Sequence, residues 1–264
     1  MRRATSRWLL WRLPAVVGTL AAATFAAGFV FALRGSLGEP MGDAPPAPAV
    51  KSAPIKKTGR RFLLVLGDSI SRGTGDEGGK GYAADVADAL RKRGATDVAN
   101  LAVNGAESAD VLEVLKSPNT ARLVSSADWI VFSAGGNDIS HSIPRIASSA
   151  GTPLDAIAAS RSAYVANLRE ILARIREFNP SAPVYVIGLY DPFGNVGPQG
   201  RVGSSVVRAW NSLLEETALS FPDVTVVPTF DLFYGRPDRL AADRFHPNAA
   251  GHQAIADRVA QLIR

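Results

Sequence analysis

Three short clusters in this chain hold side chains able to do chemistry together. Gly67-Asp68-Ser69-Ile70 offers a serine hydroxyl behind a glycine that permits a tight backbone turn. Gly135-Gly136-Asn137-Asp138 offers an Asn amide, a donor suited to a developing oxyanion, beside two glycines that allow close backbone approach. Asp243-Arg244-Phe245-His246-Pro247-Asn248 puts a carboxylate three residues before a histidine, a spacing that lets the acid meet the ring across one turn and stabilise its protonated form. A serine hydroxyl is a poor nucleophile until a base within hydrogen-bond reach activates it, so these clusters are complementary. Each alone has a plainer reading: an ordinary Gly-Asp-Ser turn, a turn whose Asn or Asp caps a helix, and an Asp–His pair that only caps the last helix.

The elements around the clusters decide between these readings. Apolar, β-branched runs at 61–66, 97–103, 128–134, 183–189 and 224–228 alternate with helix-period segments, the pattern of a five-stranded parallel sheet covered on both faces. The clearest helix is 161–178, where Tyr164, Leu168, Ile171, Leu172 and Ile175 form one apolar stripe that reads as core. Tyr82, Val86 and Leu90 mark another helix, and Ile255, Val259 and Leu262 the last. The serine and Asn clusters then fall at carboxyl ends of strands, where open α/β sheets place their ligand chemistry.

Taken in order, the clusters resemble the blocks of the SGNH (GDSL) hydrolase superfamily: the GDS serine at Ser69, a glycine after the second strand at Gly105, the GxND asparagine at Asn137, and the DxxH pair at Asp243 and His246. Ile70 stands where the family usually has leucine. The resemblance spans residues 67–246 and implies a three-layer α/β/α sandwich with a flavodoxin-like strand order. It implies Ser69 as nucleophile, His246 as its base and Asp243 as the residue orienting His246. The oxyanion hole would comprise the Ser69 and Gly105 N–H groups and the Asn137 side chain. The implied reaction is hydrolysis of acyl or acetyl esters through an acyl-serine, with no cofactor. The same residues would serve an acyltransferase or deacetylase acting on cell-envelope glycan, and a catalytically silent binding domain is a third reading. The substrate would be a lipid or an acylated glycan. The insert 139–160 and the Gly/Pro-rich loop 190–203 are expected to wall the cleft, with Ile139, Ile143, Tyr190 and Phe193 as acyl contacts.

Of the other histidines, His141 has no acid spaced to orient it, and His252 reads as a surface or packing residue of the last helix. Gly73-Thr74-Gly75-Asp76-Glu77-Gly78 fits a dinucleotide-binding pattern. It starts seven residues after its strand, however, and presents two carboxylates where a pyrophosphate would sit. Asp191 and Asp231 read as turn or cap residues. With no cysteine, no HExxH and no EF-hand loop, no metal site is expected.

Charge separates the chain into parts. The total is +5 with a pI near 9.7, yet residues 1–60 carry nine basic and two acidic side chains, a net +7, which leaves −2 for the remainder. A slightly acidic globular part lacks the footprint of a nucleic-acid binder. Leu13–Leu33 is a run of twenty-one uncharged residues preceded by four arginines. It is long enough to cross a bilayer with the N-terminus inside. The expected organisation is a cytoplasmic tip and signal anchor over 1–34, a Pro/Ala-rich tether over 35–60 and a hydrolase domain over 61–264, outside the cytoplasmic membrane. A cleaved signal peptide and a secreted enzyme is the rival reading. The oligomeric state is left open.

Overall fold

The computed structural model describes residues 59–94, 96–141, 153–194 and 197–263; the expected anchor, all but the end of the tether, and Ile143 lie outside these residues. Five parallel strands, β1 (Arg61–Leu66), β2 (Thr96–Asn100), β3 (Trp129–Ser133), β4 (Val184–Ile187) and β5 (Val224–Val227), pair in the order β2-β1-β3-β4-β5. This is the flavodoxin-like order expected. The near-continuous apolar runs follow from burial on both faces. Leu64, Leu66, Ile130, Phe132, Val184 and Val186 point into one core, and Leu63, Val65, Trp129, Val131, Tyr185 and Ile187 into the other.

The helices are α1 (Ser69–Arg72), α2 (Gly81–Arg91), α3 (Ser108–Leu115), α4 (Pro118–Ser126), α5 (Pro153–Phe178), α6 (Gly197–Ala218), α7 (Phe230–Phe233) and α8 (Ala249–Leu262). Residues 136–141 are also helical. Helices α3 to α6 cover the first core and α2 and α8 the second, which makes three layers. The predicted stripe Tyr164, Leu168, Ile171, Leu172 and Ile175 is fully buried in the first core. Full burial is worth roughly 1.5–3 kcal/mol for each such aliphatic side chain. Among the described residues no helix is long and apolar enough to cross a membrane.

The structure departs from the sequence reading in three places. The stretch 104–127, read without an element, holds α3 and α4. Their signals are a reciprocal capping box between Glu107 and Asp110, and Pro118 in the first turn of α4. The insert 139–160 is not a continuous loop, since 136–141 is helical and α5 begins at Pro153. The loop 190–203 likewise ends early, because α6 starts at Gly197 and runs through Gly200 and Gly203. Glycine weakens a helix by about 1 kcal/mol relative to alanine. At Gly203 a reason is visible: a Cβ there would lie 2.8 Å from the Phe193 ring, so only glycine lets this segment pack under the helix.

Candidate active site

Strand β1 delivers Ser69 through a turn that only glycine can make. Gly67 sits at φ +122, and a Cβ on it would lie 2.4 Å from the Ser133 carbonyl oxygen. Asp68 then caps α1, its Oδ1 accepting from the Ile70 N–H at 3.0 Å and from the Ser133 hydroxyl at 2.5 Å. Ser69 is the first residue of α1, so its N–H has no carbonyl within that helix to bind. Beneath it the Tyr82, Ser71 and Ser133 hydroxyls form a buried relay, with oxygens 2.6 and 2.9 Å apart, that ends on Asp68. Burial pushes the Asp68 carboxyl up from its ordinary value, and the bonds from Ser133 and Ile70 counter this in part. Sequence reading saw the serine and missed the relay, because Ser133 and Tyr82 belong to other elements.

The histidine expected as base arrives on a different kind of structure. Residues 239–248 form a loop closed by the Ala241 N–H to His246 carbonyl bond at 2.8 Å and by an antiparallel bridge between Leu240 and Pro247. Within it Asp243 Oδ1 accepts from the N–H groups of Phe245 and His246, each at 2.9 Å. Asp243 Oδ2 lies 2.6 Å from His246 Nδ1, and His246 Nε2 lies 3.0 Å from Ser69 Oγ. The three residues that the motifs suggest are thus in line. Arg244, between them, adopts φ +57, a left-handed conformation that strains a side-chain-bearing residue. Partial burial raises the Asp243 pKa, but the His246 ring and the two N–H bonds outweigh it and hold the carboxyl below the usual range.

Two supports place this loop. Tyr190, expected as an acyl contact, donates its hydroxyl to the Phe245 carbonyl at 2.7 Å. Gly75 packs so closely that a Cβ would lie 2.3 Å from the Pro247 oxygen and 2.8 Å from His246 Cβ. The glycine-rich stretch 73–78 therefore buttresses the histidine. Asp76, within it, accepts from the Gly78, Lys80 and Gly81 N–H groups. The Gly81 bond leads in lowering its pKa. His252 is fully buried in α8, with Nδ1 accepting from the Tyr82 N–H and Nε2 on the Thr74 carbonyl. It is a packing residue that pins the same stretch. Asp191 accepts from Phe193 N–H and the Ser204 hydroxyl, and Asp231 pairs with Arg258, so both serve turns and packing.

The other residues expected to donate to an oxyanion come from the ends of β2 and β3. Gly105 adopts φ +78 in an exposed loop, and its N–H makes no hydrogen bond among the described residues. Asn137 Nδ2 donates to the Ala106 carbonyl at 2.9 Å, which leaves its second amide hydrogen for another acceptor. The neighbouring Asp138 is buried and takes the Ser108 N–H at 2.9 Å and hydroxyl at 2.5 Å. His141 needs a correction. Sequence spacing offers it no acid, yet its Nδ1 lies 2.8 Å from Glu107 Oε1. The acid is thirty-four positions away in the chain, out of reach of any local pattern.

A cavity of about 110 Å³ opens beside Ser69 and Asn137, with Ile139, Tyr190, Phe193 and Phe245 in its wall. Three of the four expected acyl contacts therefore line it; Ile143 is outside the described residues. Ile187, Leu189 and Val207 add apolar surface that the sequence reading did not single out.

Comparison with known proteins follows the same lines. The GDSL-like Lipase/Acylhydrolase family matches residues 65–254. The chain is 33% identical over 208 residues to the uncharacterized protein YpmR of Bacillus subtilis, covering 76% of this chain and 81% of that one. It is 30% identical over 213 residues to the GDSL lipase Rv0518 of Mycobacterium tuberculosis, covering 76% and 80%. In fold it is similar to the crystal structure of the lipase Lip_vut3 from a goat rumen metagenome, with a TM-score of 0.67, 23% identity, and coverage of 76% and 96%. The chain thus belongs to the GDSL-like lipase/acylhydrolase family of SGNH hydrolases, a family of ester-bond hydrolases.

Proposed function

We propose that the protein hydrolyses carboxylic esters, acyl or acetyl, through an acyl-serine intermediate. The observation that carries this is the continuous line from Asp243 through His246 to Ser69, with steps of 2.6 and 3.0 Å. His246 Nε2 takes the Ser69 proton as Oγ attacks the ester carbon. The tetrahedral oxyanion is received by the Ser69 N–H, the Gly105 N–H and the second Asn137 amide hydrogen. Collapse breaks the bond to the alcohol oxygen, which leaves with the proton from His246. Water then repeats the sequence on the acyl-serine and releases the acid. Asp243, ionised throughout, keeps the imidazole proton on Nδ1 and stabilises the imidazolium. The charge-free run Leu13–Leu33 behind four arginines supports a domain held outside the cytoplasmic membrane by its N-terminus.

The test is hydrolysis of p-nitrophenyl esters from acetate to laurate by the purified full-length protein. Activity on these esters is expected to be abolished by Ser69→Ala and His246→Ala, and to fall roughly 10²–10³-fold in kcat with Asn137→Ala. A folded wild type no faster than Ser69→Ala on every ester overturns the reading. Protease digestion of intact spheroplasts should remove the domain; protection there overturns the placement outside the membrane.

A further inference from the structure

An oxyanion hole accelerates a reaction only if its donors are fixed before the charge develops, and a misplacement of a few tenths of an ångström weakens it. In this protein two of the three donors sit on separate segments, one a loop and the other the start of the helical turn 136–141. Gly105 follows β2 and Asn137 follows β3, and Gly105 has no side chain with which to anchor itself. What aligns the segments is a ladder of ties between residues 106–108 and 137–141. Its rungs are Asn137 to the Ala106 carbonyl, Asp138 to the Ser108 N–H and hydroxyl, and His141 to Glu107. Asp138 and His141 are three residues apart on one helical turn, so both face the Gly105 loop. From the far side Asn167 of α5 donates to Ser108 Oγ at 3.0 Å, bracing the middle rung.

The outer rung is unlike the others. Asp138 is buried, whereas His141 is half exposed at 50% and Glu107 is at 18%. Glu107 also shares a capping box with Asp110, whose carboxylate accepts the Glu107 N–H at 2.8 Å, so the residue that grips His141 is the one that starts α3. A half-exposed side-chain pair of this kind adds little to global stability. Placed two residues from one donor and four from the other, this pair is situated to act on alignment instead.

We propose that Glu107 and His141 are positioning residues for the oxyanion hole, their pair closing the open end of the ladder that holds the Gly105 N–H and the Asn137 amide in register. The inference rests on the esterase reading. Neither residue is among those lining the cavity beside Ser69. Loosening the pair therefore leaves ground-state binding alone and lowers only the affinity for the tetrahedral state.

The test uses the full-length protein and three variants, Glu107→Gln, His141→Ala and His141→Gln, on p-nitrophenyl acetate, with inhibition by a boronic acid that forms a tetrahedral adduct on serine. For His141→Ala, kcat should fall three- to tenfold with KM within twofold, and the boronate Ki should rise by the same factor. The thermal midpoint should match wild type. His141→Gln, which keeps a donor toward Glu107, and Glu107→Gln, which keeps an acceptor toward His141, should recover most of the loss. Wild-type kcat in all three, or an effect confined to KM or to the thermal midpoint, overturns the proposal. Loss of the esterase reading is seen separately, as full activity in Ser69→Ala.

Discussion

The proposed nucleophile and its base are held by opposite kinds of structure. Ser69 is 7% exposed, set on a turn that Gly67 permits and backed by Asp68, Ser71, Ser133 and Tyr82, all buried. His246 and Asp243 have side chains 21% and 47% exposed, on a loop fastened by backbone hydrogen bonds, the Tyr190 hydroxyl and contact with Gly75. The difference teaches where each half of the chemistry draws its precision. On the serine side, precision is inherited from the core, and disturbing it should cost stability first. On the histidine side, precision rests on a ten-residue loop and the Tyr190 and Gly75 contacts that brace it, and disturbing the loop should cost activity while the fold stays intact.

Matched substitutions of the two carboxylates give the largest contrast. Asp243→Asn should lower kcat by roughly 10²–10⁴-fold through loss of the imidazole's orientation. Its thermal midpoint near neutral pH should move little, because the group is half in water. Asp68→Asn should leave kcat within about tenfold. It should change instead how stability varies with pH. The Asp68 carboxyl has a folded pKa raised by burial, so the folded state holds its proton more tightly than the unfolded chain. Its contribution is fully present below the unfolded value and is lost as pH rises through the folded one. Asp68→Asn should therefore flatten the decline of stability with rising pH. Asp243 has the opposite sign, since its lowered pKa gives a contribution present above the ordinary carboxylate value and lost as pH falls through the folded one. Unfolding curves between pH 3 and 8 distinguish the two, and equal slopes for both variants would break the comparison.

A smaller effect is expected at Ser133, which binds Asp68, the Asp68 N–H and Ser71 at once. Ser133→Ala leaves those buried groups short of a partner and should cost about 1–3 kcal/mol in chemical denaturation. The kcat should fall less than it does in Asp243→Asn. The smallest effect belongs to the loop. Arg244→Gly relieves a left-handed residue and should raise stability by up to about 1 kcal/mol. If kcat falls more than tenfold in that variant, the strained residue itself holds the Asp243–His246 geometry and the loop is stiffer than its exposure suggests.

What could be read beforehand follows from how each signal is encoded. The strand positions were visible because burial on both faces forces unbroken apolar runs, as in Phe62 to Leu66. Their ends were overextended, since Leu101 and Val103 still bond to Val65 and Gly67 past the end of β2. The helical stretch 197–203 was hidden because its glycines argue against a helix, and the Phe193 contact that requires Gly203 is a tertiary fact. Ser69, Asn137, Asp243 and His246 were legible as types in short motifs, while the partner of His141 was not.

The sequence by itself determined which side chains could carry the chemistry and that they stand at strand ends and at the start of the last helix. It could do so because turns, caps and burial patterns are encoded within a few residues. Only the tertiary structure decided that His246 lies 3.0 Å from a serine 177 positions earlier, that Glu107 meets His141, and that Gly75 braces the base. Those contacts are set by the order in which the strands pair and by how closely the loops above them pack, and no local pattern contains either.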